Sequence, residues 1–184
     1  MASILKVDQI KNTGASGDID IPTGYKIKGA DTGSIVAPGN VIQVAHHKWS
    51  SAATTTSTSL SDVSGSSFTF TAKQANSKLY ILTDVSITQT RTAAGSFGHY
   101  ELNVDGSVIQ GSGDTYELGM SVGNSTSVNL YQRASKSYFI NASNTSAKTI
   151  KLQFAVDSNA NSGQTRINVN SQFYSAITVM EVAQ

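Results

Sequence analysis

Hydrophobic and polar side chains alternate most clearly in the stretch SSFTFTAKQANSKLYILTDVSITQ, which runs from Ser66 to Gln89. Its second part places Leu79, Ile81, Val85 and Ile87 on one face of an extended chain. A period of two in β-branched and aromatic residues is typical of strands with one buried face. The polar turn KQANSK interrupts the pattern, so the stretch predicts either an antiparallel hairpin or a corner in a two-layer β structure.

Further short strands follow from Val41 onward, at the spacing of a β-sandwich. The predicted strands are Val41–Trp49, Ser67–Thr71, Lys78–Gln89, Tyr100–Val104, Ser107–Gln110, Tyr116–Val122, Ser127–Arg133, Tyr138–Asn141, Lys148–Val156, Thr165–Asn170 and Ser175–Val182. Asp105-Gly106 is the strongest two-residue hairpin signal in the chain. The Ser/Thr-rich stretch that follows Trp49 predicts an exposed loop or a polar edge strand. No segment favours a helix, and the pattern predicts an all-β, jelly-roll-like antiparallel β-sandwich.

The last predicted strand, SAITVMEV, is apolar on both faces. Ile177 and Val179 share one face, and Met180 and Val182 lie on the other. A strand with two apolar faces lies either in the centre of a sandwich or between subunits. These four residues are therefore candidates for a subunit interface.

Residues 1–40 differ from the rest and predict an extended N-terminal arm, followed by a sandwich domain over residues 41–184. Glycines interrupt this segment often, and it contains both prolines of the chain, which disfavour a helix or a central strand. Ile4, Val7 and Ile10 form a roughly apolar pattern and are candidate anchor residues. The segment is interpreted as an attachment or intertwining arm, with a disordered leader as the alternative.

Composition narrows the function classes. The net charge is +1 and no basic block occurs, so nothing supports electrostatic binding of nucleic acid. No apolar run approaches the length of a membrane span, and no secretory leader is visible. The chain contains 0 cysteines, which excludes disulfides and thiolate chemistry.

Candidate chemistry is sparse. The three histidines are His46, His47 and His99, and adjacent strand residues point to opposite faces, so His46 and His47 do not readily share a metal. Either could still pair with His99. No nucleophile elbow occurs, and carboxylates are scattered. We expect no enzymatic activity, no metal site and no cofactor.

Loops with aromatic or basic side chains are better candidates for recognition. Arg91, Phe97 and His99 lie in or beside one glycine-bearing loop, and Tyr116 follows another. Binding residues commonly lie on loops supported by a rigid scaffold. The alternative is that Phe97 and Tyr116 cap the ends of the core.

Several phrases of the sequence resemble short fibre proteins of tailed bacteriophages, many of them from marine and cyanobacterial phages. The phrases are ILKVDQIKN, IPTGYKIKGADTGSIVAPGNVIQV, FTFTAKQANSKLYILTDVSI and AITVMEV. The resemblance spans nearly the whole chain and implies an N-terminal arm attached to the virion. It also implies a C-terminal β-sandwich that forms a homotrimer, often with host-binding loops at its tip. The chain is short for a tail fibre and has no repetitive shaft.

The sequence therefore favours a virion structural protein, a trimeric tail fibre or adhesin for host attachment. A capsid decoration or head-fibre protein is the first alternative, and a carbohydrate-binding module is the second. The expected partners are tail or capsid proteins, contacted through the arm, and a receptor or glycan on the host cell.

Overall fold

The computed structural model describes Thr23 and residues 37–91, 98–109, 128–156, 163–170 and 173–184. For residues 91 and 128–130 it describes the backbone only. The chain divides into the units Met1–Ile35 and Val36–Gln184, and every described strand lies in the second unit.

The described residues form two antiparallel sheets packed against each other, and none of them is helical. Sheet A contains β1 (Val41–Trp49), β2 (Ala53–Thr55), β5 (Ser77–Arg91), β8 (Val128–Ala142), β10 (Gln164–Ile167) and β11 (Ser175–Val182). Sheet B contains β3 (Ser61–Asp62), β4 (Phe68–Thr71), β6 (Gly98–Val104), β7 (Ser107–Ile109) and β9 (Ala147–Val156). The predicted all-β antiparallel sandwich is confirmed.

Sheet A is organised around β5. One side of β5 pairs with β8 over its full length, and the other side pairs first with β11 and then with β10. β11 in turn pairs with β1, and β10 pairs with β2. The resulting order across the main part of the sheet is β1-β11-β5-β8.

The stretch Ser66–Gln89 is a corner between the two sheets, not a hairpin. β4 pairs with β9 in sheet B, whereas β5, which follows at once, belongs to sheet A. Asn76 lies in the connection with φ 62°, a left-handed conformation that Asn adopts more readily than most residues. The Asp105-Gly106 hairpin is confirmed, with φ 52° and 86° at the two turn residues, which suits a type I′ turn.

One long strand replaces two short predicted ones. β8 runs unbroken through the segment Ala134–Ser137, where small and polar residues weaken the hydrophobic signal, yet the inward and outward alternation continues there. The Ser/Thr-rich stretch that follows Trp49 contributes two short strands, β2 in sheet A and β3 in sheet B. The predicted strand Tyr116–Val122 lies outside the described residues.

The core between the sheets consists of the inward residues of both layers. β5 supplies Leu79, Ile81 and Val85, and sheet B supplies Leu102 and Leu152, with neighbouring apolar residues around them. The hydroxyl of Tyr100 in β6 crosses the core to within 3.0 Å of the hydroxyl of Thr83 and donates to the carbonyl of Ala134 at 3.2 Å. Apolar burial and these buried hydrogen bonds together join the two layers.

Candidate functional site

The outer face of sheet A, the face turned away from sheet B, carries an exposed apolar row. The strand register places four side chains side by side across β1, β11, β5 and β8: Val44, Met180, Tyr80 and Phe139. Val44 is 58% exposed and Phe139 is 72% exposed. The rings of Tyr80 and Phe139 contact each other, with 4.7 Å between their centroids. Cross-strand packing of this kind stabilises a sheet, but here Val44 and Phe139 remain exposed at the two ends of the row, and Met180 and Tyr80 between them are only half-buried.

The residues on either side of this row complete the outer face. Towards one end lies a row of Val41, Val182, Lys78 and Asn141, in which the Lys78 ammonium donates to the Asn141 side chain. Towards the other end lies a row of His46, Thr178, Leu82 and Ser137, and beyond it a row of Lys48, Ala176, Asp84 and Ser135. The face therefore has an apolar row near one end, bordered by Lys78 and Asn141, and is mixed in charge near the other end.

A group of charged and aromatic side chains lies at the mixed end. Arg133 donates from two nitrogens to the two carboxylate oxygens of Asp84, both at 2.7 Å, and also donates to the Tyr174 carbonyl at 3.2 Å. The Asp84 hydrogen bonds raise the pKa of Arg133 above its ordinary value. The Lys48 ammonium lies 3.7 Å from the centre of the Tyr174 ring, a cation–π contact. Tyr131 lies near this group and is 57% exposed, with its ring centroid 6.4 Å from that of Phe173.

The corner between β4 and β5 is held by a buried carboxylate. Glu181 in β11 is fully buried and accepts hydrogen bonds from the backbone N–H groups of Lys73 and Gln74, each at 2.9 Å. It also accepts from the Ser77 hydroxyl at 2.7 Å and from the Gln43 side chain. Burial acts to raise the pKa of Glu181, but these hydrogen bonds outweigh burial and lower it. The role of Glu181 is to fix the corner.

A buried charge pair joins the sheets. The Lys136 ammonium on β8 donates to the Tyr100 carbonyl at 2.9 Å and lies 3.4 Å from the Glu101 carboxylate on β6. Both side chains are only 9% exposed. The inward Lys136 therefore interrupts the apolar pattern of β8 without leaving a charge unpaired.

The predicted recognition residues are dispersed or lie outside the described part. His99 is the second residue of strand β6, beside the glycine-bearing loop, and it is buried, not exposed. The backbone of Arg91 ends β5. Phe97 and Tyr116 lie outside the described residues, as do the candidate anchor residues Ile4, Val7 and Ile10.

The predicted subunit interface divides between the two faces of β11. Ile177 and Val179 are fully buried in the chain's own core, so the interface prediction is corrected for these two residues. Met180 and Val182 are partly exposed on the outer face, where they remain candidates. β11 is thus central in the sandwich, between β1 and β5. Tyr80 and Phe139 were not predicted from the sequence as site residues, although the large apolar residues Tyr80 and Leu82, opposite the buried face of β5, were a signal for this surface.

Among the described residues, no group of three or more His, Cys, Asp or Glu side chains is arranged to hold a metal ion. No helix in that part of the chain is long and apolar enough to cross a membrane. No protein-family model matches the chain, and a search of curated proteins finds no match.

Proposed function

We propose that the chain is a non-enzymatic structural protein of a bacteriophage virion, a trimeric tail fibre or adhesin that functions in host attachment. The phage role is supported by the sequence phrases that resemble short fibre proteins. The observation that carries the assembly role is the exposed apolar row on the outer face of sheet A. Soluble monomers rarely expose a large contiguous apolar patch, and such patches commonly mark interaction surfaces.

The packed core supports the proposal of a stable virion component. Its stability depends on a packed core and on buried polar groups such as Glu181, with no disulfides, since the chain contains 0 cysteines. In the proposed assembly the N-terminal segment attaches to the virion and the sandwich is displayed outward. Symmetric association of copies would cover apolar surface that one copy leaves exposed.

The proposal is tested by the native mass of the purified chain and by its location on the phage particle. Light scattering on the purified full-length chain is expected to give the mass of three protomers, or of six where two trimers associate. Immunogold labelling of phage particles that encode the chain is then expected to mark the tail. Label on the capsid would support a decoration or head-fibre protein instead, and particles without label would overturn the virion role.

A second candidate function is carbohydrate binding, favoured by the aromatic side chains at the mixed end of the outer face. Tyr131 is 57% exposed and Tyr174 is 42% exposed. Aromatic rings on a rigid surface offer flat apolar contact area beside polar groups. A glycan array probed with the wild-type chain and with Tyr131→Ala would test this function. Binding to a defined glycan that is lost in the variant would support it, and a blank array would count against it.

A further inference from the structure

We propose that the outer face of sheet A pairs with the same face of a second copy of this chain, around a two-fold axis. The proposal goes beyond the virion role and does not depend on it, because it is based on the described residues of one face. The partner is a second copy because the order of side chains on this face is self-complementary.

The self-complementary order is clearest in the part of β5 that pairs with β11. There the outward side chains are, in order, Lys78, Tyr80, Leu82 and Asp84. When two copies of this segment cross antiparallel, its first residue in one copy meets its last residue in the other. Lys78 then faces the partner's Asp84, and Tyr80 faces the partner's Leu82. In a two-fold interface every such contact occurs twice, so the pair gains two opposite-charge contacts at its ends.

The flanking strands follow the same arrangement. A two-fold axis between the apolar row and the row of His46 and Leu82 sets Phe139 on β8 opposite the partner's Ser137. On β11 it sets Met180 opposite the partner's Thr178. Large side chains therefore meet smaller ones on both sides of the axis, which is the condition for close packing between two sheets.

The dimensions of the face agree with this pairing. Lys78 and Asp84 are six positions apart on one strand, or about 20 Å. Stacked sheets commonly cross at about 30°, which displaces the strand ends by about 5 Å from exact opposition. A lysine side chain extends far enough to cover that displacement. Four strands and four rows give a face of about 20 Å by 25 Å, at the lower end for a specific interface, so we expect association in the micromolar range.

Other partners match the face less well. A purely apolar partner would leave Lys78 and Asp84 to be desolvated without a new counter-charge. Arg133 already binds Asp84 in the same copy, so the partner's Lys78 would join an existing ion pair as a second cation.

The test is a charge exchange on the full-length chain. Lys78→Asp and Asp84→Lys each place like charges together at both ends of the pair. The double variant restores opposite charges. We expect each single variant to weaken association at least about tenfold and the double variant to recover most of that loss. Lys73→Asp makes the same charge change at an exposed position off the outer face and is the matched control.

Association is measured by sedimentation over the micromolar range, with thermal unfolding as the check on folding. Phe139→Ser is a second probe, because this 72% exposed side chain can be shortened without opening the core. It is expected to weaken association and to lower thermal stability only slightly, through loss of the ring contact with Tyr80.

The outcomes separate this inference from the proposed function. A wild-type mass of two protomers, or of six where trimers pair, with recovery in the double variant supports the two-fold contact. A mass of one protomer throughout, or association that both single variants leave unchanged, overturns it. A mass of three protomers that is insensitive to both charge changes supports the trimeric fibre and also overturns the two-fold contact.

Discussion

Replacing Glu181 with glutamine tests whether a buried carboxylate fixes the corner between the two sheets. The wild-type side chain accepts four hydrogen bonds through two oxygens, two of them from backbone N–H groups at 2.9 Å. An amide keeps one oxygen as an acceptor and turns an NH₂ group towards donors. Those donors then lose their partner in a fully buried site.

The expected loss in the free energy of unfolding follows from these hydrogen bonds. A hydrogen bond to a charged group contributes about 1.5–3 kcal/mol, and an unsatisfied buried donor costs about 1–3 kcal/mol. Allowing for partial relaxation, we expect Glu181→Gln to lower the free energy of unfolding by about 2–4 kcal/mol. For a chain of this size that corresponds to a fall in Tm of about 5–15 °C.

The pH dependence gives an independent readout. The folded-state pKa of Glu181 is lowered, so its contribution to stability is fully present above the unfolded-state pKa. That contribution is lost as the pH falls through the folded-state pKa. The difference in Tm between wild type and Glu181→Gln should therefore be largest near neutral pH and shrink in acid.

The assay is thermal unfolding followed by circular dichroism or calorimetry across this pH range. Asp62→Asn is the matched control, since Asp62 also has a lowered pKa from its hydrogen bonds with Lys151 and Gln153, but its side chain is 57% exposed. Exposed pairs contribute at most about 1 kcal/mol. A Glu181→Gln protein with the Tm and pH dependence of the Asp62→Asn control would refute the reasoning.

Three further substitutions test other contacts. Lys136→Met leaves the Glu101 carboxylate buried without its cation, so chemical denaturation should show the free energy of unfolding lowered by about 3–5 kcal/mol. Most of that loss should be recovered when Glu101 is also replaced by leucine, and a small loss in the single variant would contradict the pairing. Tyr100→Phe removes the hydroxyl that meets Thr83 at 3.0 Å and should lower the free energy of unfolding by about 1–2 kcal/mol in the same assay, and a loss near zero would contradict a stabilising role for this contact. Gly106→Ala strains a turn residue with φ 86° and should lower stability by about 1–2 kcal/mol although the space around it is open, and an unchanged midpoint would argue against that turn conformation.

The bounds of several strands and one turn were predicted correctly from the sequence. Strands β1, β9 and β11 were predicted almost to the residue. In β9 the signal was the alternation of apolar and polar residues, whose period of two follows from the strand geometry itself. The turn at Asp105-Gly106 was predicted for a similar reason, since it depends on which residues accept positive φ. Alternation and turn conformation are properties of short segments and do not depend on which strand pairs with which.

The partners of each strand were decided only by the tertiary structure. Alternation sets which side chains point inward, but it does not say whether β4 pairs with β5 or with β9. β8 became one continuous strand because β5 offers a pairing edge along its whole length and because Glu101 neutralises the inward Lys136. Neither reason is visible within the segment itself.

The candidate surface depended most on tertiary structure. Val44, Tyr80, Phe139 and Met180 come from four separate strands and become neighbours only through the register of sheet A. The sequence by itself determined that the chain is an antiparallel β-sandwich and that β11 is apolar on both faces. Only the tertiary structure decided that Ile177 and Val179 belong to the core while Met180 and Val182 lie on the outer face, because burial depends on which sheet covers each side of the strand.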